Sequence, residues 1–278
     1  MTLKKIFSTM IACLLTMAIF SGCGNENADE NVLSTKIGML EHLNASETEF
    51  DGFMKKISET FALSMPAHQV QYFSNFNSMQ MALESGRIDE ISTYKCVADY
   101  LMARNPNIEI LEGHTMEFID AFCFAVRASD VELKKSLDNI INDMKSDETL
   151  DKLTKQYITP SENPPSIEFK KFEGADTLKV AITGDLPPLD LVLADGNAAG
   201  FNTAVLSEIG KRLQKNIEII QVDSAARSSA LTSGQADIVF WAIVPVGEII
   251  PANADKPDGV ELSAPYYRGR IVHIGLKK

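Results

Sequence analysis

The chain has 278 residues, 45% of them hydrophobic, and a formal net charge of -12 at pH 7. That apolar content can bury one large core or two lobes, which excludes disorder as the principal state. A surface this acidic repels a phosphate backbone, and the sequence has no basic run or arginine and aromatic stripe, so nucleic acid is excluded as a partner.

Lys4 and Lys5 precede an apolar run from Ile6 to Phe20, and Ser21 and Gly22 follow just before Cys23. A basic start, an apolar middle and small residues at the end are the layout of an export signal. The run is shorter than the roughly 18 to 20 residues of a permanent membrane helix. Residues 1–22 are therefore expected to be a signal peptide. The ending Phe20-Ser21-Gly22-Cys23 resembles a bacterial lipobox, with Phe20 where an aliphatic residue is usual. That resemblance implies that Cys23 is lipidated and becomes the new N-terminus; ordinary secretion with Cys23 incidental is the alternative. Residues 23–33, including "GNENADEN", have the composition of a tether. The expected location is extracytoplasmic, anchored to the bacterial cell membrane by the lipid on Cys23.

Beyond the tether the chain states one plan twice. A strand is expected at Lys36 to Leu40, then an amphipathic helix from Glu47 to Phe61, a strand at Gln69 to Phe73, and a short helix carrying Met79, Met81 and Leu83. The phrase "ALESGRIDEI" (Ala82 to Ile91) closes that helix at a Ser-Gly stop and opens a new strand after Asp89. Cys96 and Cys123 sit in apolar runs and read as buried thiols, with a single disulfide as the alternative; Cys13 leaves with the signal. Pro160, Pro164 and Pro165 forbid a regular helix in the stretch that follows, so 160–176 reads as a connector. The second half then repeats the order: a strand at Lys179 to Thr183, a helix at Phe201 to Leu213, a strand at Ile217 to Val222, and a short helix with Ala226, Ala230 and Leu231. There "ALTSGQADIV" (Ala230 to Val239) echoes the first phrase. A glycine just past the last helical turn takes the left-handed conformation, so each copy is expected to be a helix-to-strand corner without ligand contact. Strand, helix, strand, helix, strand with short connections implies parallel α/β sheets in both halves.

The residues of the second half carry a family resemblance. Pro187-Pro188, Asp195-Gly196, Gly200-Phe201, the Leu-x-Ser-Gly-x-x-Asp phrase and Ser263-Ala264-Pro265-Tyr266-Tyr267 resemble the first lobe of the type II solute-binding proteins of ABC importers, in the amino-acid-binding branch. "KIGMLEHLNASETEFDGFMKK" resembles the start of that family's second lobe, and "FCFAVRASDVELKKSLDNIINDMKSDETLDKLTKQY" its closing strand and C-terminal helices. The order is inverted relative to the family, which implies a circular permutation; a fusion of two half-proteins is the alternative. The resulting division is 34–125 as a second-lobe-like segment, 126–159 as the returning helices, 160–176 as the connector, 177–267 as the first-lobe-like segment and 268–278 as the crossing strand. The fold implied is a two-lobed α/β periplasmic-binding-protein-like fold of type II, each lobe a sheet flanked by helices.

In such a protein the ligand lies at the carboxyl ends of strands and the amino ends of helices. The candidate contacts are Thr183, Asp185 and Leu186 after one strand, Trp241 at another, Glu41, His42 and Asn44 after the first strand, Thr93 and Tyr94, and Arg227. The family clamp does not transfer residue by residue. Leu186 stands where an aromatic residue is usual, Glu248 stands near the place of the carboxylate-binding arginine, and Tyr94 near that of the ammonium-binding aspartate. Without the bidentate arginine the fixed fork for a carboxylate is missing. His68 and His114 show no metal-ligand spacing, and neither a metal nor a cofactor is expected. The implied function is capture of a small polar solute, an amino acid or a related compound, by a monomer that passes it to an ABC permease in the membrane, with no enzymatic activity. The alternatives are a sensor or partner-binding lobe pair, and a dehydratase-like lyase using Glu41, His42 or Glu248.

Overall fold

The computed structural model describes residues 35–40, 68–112, 119–160, 162–243 and 259–277, all within one compact unit that spans 34–278. The first half contains β1 (Thr35–Leu40), β2 (His68–Phe73), α1 (Phe76–Glu84), β3 (Glu90–Tyr94), α2 (Lys95–Met102) and β4 (Ile108–Ile110). β5 (Ile119–Arg127), α3 (Val131–Ser146) and α4 (Thr149–Tyr157) follow. The second half contains β6 (Thr177–Ile182), the small strands β7 (Asp185–Leu186), β8 (Asp190–Val192) and β9 (Ala198–Ala199), then α5 (Phe201–Leu213), β10 (Asn216–Gln221), α6 (Arg227–Thr232), β11 (Ile238–Ile243), β12 (Val260–Leu262) and β13 (Tyr267–Leu276). The helix expected over Glu47 to Phe61 lies outside the described residues.

The repeated plan of the sequence is a repeated sheet. β1 lies between β2 and β3 and is parallel to both. β6 lies in the same way between β10 and β11, again parallel to both. One antiparallel strand continues each set, β13 beside β3 and β5 beside β11. β13 belongs to both halves: Tyr267 to Arg270 pair with β5, and from Ile271 onward the strand pairs with β3 and β4. The fold is thus α/β with two sheet halves flanked by helices, and β13 changes partner between Arg270 and Ile271.

The twin phrases form the same corner in both halves. Gly86 and Gly234 take φ of 72° and 77°, the left-handed conformation expected of a residue that ends a helix. Gly86 N–H donates to the Leu83 carbonyl and Gly234 N–H to the Leu231 carbonyl. The shared aspartate has an equally specific task. Asp89 accepts from the backbone N–H of Lys36 at 2.8 Å, and Asp237 from that of Lys179 at 3.0 Å. In return the Asp89 and Asp237 N–H groups donate to the carbonyls of the same two lysines. Each phrase therefore ties the end of its corner to the first strand of its own half.

Helix faces follow the apolar spacing with one exception. Phe76, Met79 and Leu83 of α1 are buried, but Met81, which the same short helix carries, is 68% exposed. Two residues of helix turn a side chain by about 200°, which carries Met81 to the far side from Met79 and Leu83. The Ser263 to Tyr267 motif is structural. Ser263 Oγ accepts from the Phe124 N–H at 2.9 Å, and the buried Tyr266 hydroxyl donates to Asn202 at 3.0 Å. Tyr266 stacks on Phe124 at 4.6 Å, and Tyr267 meets Phe122 and Phe201 edge-on at 5.3 and 5.1 Å. Cys96 and Cys123 are buried free thiols, and burial pushes both up to about 12, so they pack as small apolar groups.

The connector carries no helix among its described residues, 160 and 162–176. It is nonetheless tied down: Ile167 N–H donates to the Ala198 carbonyl at 2.8 Å, and Asn216 exchanges hydrogen bonds with the Phe172 backbone. Asn163 reaches the first half, accepting from Tyr100 Oη at 2.7 Å and from Arg104, whose guanidinium lies 3.4 Å over the Tyr100 ring.

Candidate functional site

Two sets of strand ends face one another. β2 leads at its carboxyl end into Ser74, Asn75 and the start of α1; β6 leads into Thr183 to Asp185, and β10 into Ser224. Asp185 Oδ2 accepts from the Phe76 N–H at 2.6 Å, and more weakly from that of Asn77 at 3.4 Å. Ser224 N–H donates to the Ser74 carbonyl at 3.0 Å. The carboxyl ends of the two parallel strand sets therefore meet, which is where an α/β protein places its ligand.

On the second-half side, Thr183 Oγ1 donates to Asp190 Oδ2 at 3.2 Å, and the Gly184 N–H reaches the same oxygen at 3.5 Å. Asp190 is 5% exposed. Burial first, and then the negative charge of Asp185, raise its carboxyl to about 6; the Arg227 guanidinium acts in the opposite direction. Arg227 donates to the Ser224 carbonyl at 3.2 Å, the Ser224 hydroxyl at 2.9 Å and the Phe240 carbonyl at 3.3 Å. Its fork is thus used to hold the chain around Ser224. Leu186 is half-buried against the core.

On the first-half side, Thr93 is buried and Tyr94 ends β3. Tyr94 Oη donates to Asp120 Oδ2 at 2.9 Å, and its ring lies 4.7 Å from that of Phe122. Asp120 is the residue that the sequence reading missed. It is 5% exposed, and its Oδ1 is buried with no hydrogen-bond partner among the described residues. It pairs with Gly269 across β5 and β13, one residue from the point at which β13 changes halves. Burial raises its carboxyl to about 6 against the lowering effect of Tyr94. A neutral carboxyl does not relieve the unpaired oxygen, because a proton there would itself need an acceptor. The signal available in the sequence was a lone acid at the head of the apolar run "AFCFAV".

The backbone of Trp241 lies in β11 opposite Cys123. Glu41, His42, Asn44 and Glu248 lie outside the described residues, as does Cys23. Among the described residues no group of three or more His, Cys, Asp and Glu side chains could hold a metal ion. A surface groove lined by Lys171, Phe172, Glu173, Thr177, Asn216, Ile217 and Glu218 is bounded only by the connector and the β6–β10 edge, so it is not the space between the halves.

Residues 178–270 match the family model of bacterial extracellular solute-binding proteins, family 3. The resemblance to that family stands on this segment. It begins in β6, includes Asp185, Asp190 and Arg227, and ends where β13 leaves the second half. A search of curated proteins finds no match. Solved structures with a similar chain path include the zinc-bound ligand-binding component of an ABC-type import system from Staphylococcus aureus, at 14% identity, covering 87% of this chain and 66% of that one, with a TM-score of 0.45. CbnR, a LysR family transcriptional regulator, is similar at 11% identity, 88% and 64% coverage and a TM-score of 0.43. The methionine-binding protein MetQ is similar at 10% identity, 88% and 84% coverage and a TM-score of 0.41. The chain spans slightly less than two thirds of the length of the first two of these structures.

Proposed function

We propose that this protein is an extracytoplasmic solute-binding protein that takes a small polar solute, an amino acid or a related compound, between its two halves and delivers it to an ABC permease. The observation that carries the reading is the buried, unpartnered Oδ1 of Asp120 at the change of partner in β13. An unmet acceptor in the interior costs about 1–3 kcal/mol, and a solute N–H or ammonium group would remove that cost. The match of residues 178–270 to a solute-binding family supports the same assignment. Thr183, Leu186, Thr93, Tyr94, Trp241 and Arg227, with Glu41, His42 and Asn44, complete the proposed surroundings of the solute, Tyr94 holding the Asp120 carboxylate in place.

We place the working protein on the outer face of the cytoplasmic membrane, held by lipid on Cys23, as a monomer with a circularly permuted chain order and no catalytic step. A mass measurement on the peptide containing Cys23 from the membrane fraction tests the anchor, and an unmodified cysteine would remove it from the proposal. The binding reading is tested by thermal denaturation of the purified protein against a panel of amino acids, amines, carboxylates and neutral sugars. A solute present at 100 times its Kd adds about 2.7 kcal/mol, a readily measured rise in Tm. A panel without any rise, on protein that unfolds cooperatively, would overturn it. One observation favours a second reading, a sensor or partner-binding pair of lobes: the Arg227 fork is used on Ser224 and Phe240. A solute that stabilises the protein without being taken up by cells that express it would point there.

A further inference from the structure

We infer that Asp185 is a latch between the two halves. Asp185 leaves the end of β6 in the second half, yet its carboxylate caps a helix of the first half, with Oδ2 at 2.6 Å from the Phe76 N–H and 3.4 Å from the Asn77 N–H. The next amide of α1, Ser78, is taken by the Asn75 side chain at 2.9 Å. The first three amides of α1 therefore all have side-chain acceptors, and one of the two acceptors comes from across the interface. A carboxylate at the amino end of a helix gains from both the unmatched N–H groups and the helix dipole. A second bond from a separate loop reaches the same segment: Ser224 N–H to the Ser74 carbonyl at 3.0 Å, two residues ahead of Phe76. Arg227 holds Ser224 for that contact through its carbonyl and its hydroxyl.

The sequence reading takes Asp185 as a solute contact. The geometry gives its carboxylate a different partner, the chain's own helix, so that this residue positions the halves and leaves the solute to be recognised elsewhere. This assignment goes beyond the proposed function, because two halves can be latched whether or not a solute binds between them.

The test is amide hydrogen exchange, resolved by residue, together with small-angle X-ray scattering on the full-length chain without solute, comparing wild type with Asp185→Ala and Asp185→Asn. A latch predicts exchange at Phe76 and Asn77 at least about tenfold faster in Asp185→Ala, faster exchange at Ser224 as well, and a larger radius of gyration, with the core amides of β3 and β6 unchanged. Asp185→Asn keeps an acceptor and loses the charge, so it should fall between the two. Faster exchange at Phe76 alone, with Ser224 and the radius unchanged, would make Asp185 a local cap and overturn the latch. If Asp185→Ala loses its core protection and is not folded, the comparison of wild type with Asp185→Asn decides on the same readouts, an unchanged Ser224 and radius again overturning it.

Discussion

Asp120 shows how a single residue can set function against stability. Its carboxyl is raised from the ordinary 3.8 to about 6 chiefly by burial. The folded protein therefore holds a proton that the unfolded chain releases between about pH 4 and 6. Because the native state binds more protons in that window, stability falls as pH rises through it and stays lower above it. Asp120→Asn keeps an acceptor for Tyr94 and removes the charge. Between pH 4 and 7.5 the wild type should lose about 2 kcal/mol of stability that Asp120→Asn keeps, roughly 4–8 °C of Tm for a unit of this size, on top of a pH-independent cost from the buried amide N–H groups of the asparagine. Calorimetry at the two pH values checks this. On the proposed function the same substitution weakens solute binding at least about tenfold, measurable by titration calorimetry with whichever solute the thermal panel reveals.

At the scale of elements the repeated corner is the informative unit. Among the described residues beyond the chain neighbours, nothing lies within 4 Å of a Cβ built at Gly86 or Gly234, so the left-handed backbone is what opposes alanine there. Gly86→Ala and Gly234→Ala should each cost about 1 kcal/mol, by nearly the same amount, in urea denaturation. Gly269 is the opposite case. An added Cβ would meet Phe122 Cε2 at 2.7 Å and Tyr94 Cδ1 at 3.1 Å, both ring atoms packed in place. Gly269→Ala should cost about 1–3 kcal/mol through overpacking and disturb the Tyr94–Asp120 hydrogen bond, visible as a shift of the Asp120 titration in NMR. The spacing of α1 is readable as a helix, and the two-residue step from Met79 already carries Met81 to its far side, where the structure leaves it exposed.

For the whole molecule, the two halves are joined through β13 and through the connector, with Asn163 linking the connector to α2. On the proposed function β13, which pairs in both halves, is the hinge about which the halves would turn while each keeps its own core. Asp185 and Ser224 act at the opposing strand ends, where such a turn would open the most space. A solute that binds there draws on contacts added to an interface already partly made. It should therefore change the radius of gyration less in wild type than in Asp185→Ala, and scattering with and without solute measures both.

The sequence alone determined the local pieces: the two corners, the parallel strand sets, the buried thiols, the irregular connector and the family resemblance of the second half. These follow from periodicity, glycine conformation and apolar runs, which act over a few neighbouring residues. Tertiary structure decided what meets across the molecule. Tyr94 and Asp120 are brought together by the pairing of β13 with both β3 and β5, and Asp185 meets Phe76 although more than a hundred positions separate them in the chain. Hydrogen bonds of that kind carry no local pattern. They arise from the facing of two strand sets, and only the folded chain fixes which acid is left with an unpartnered oxygen and which one closes on a helix.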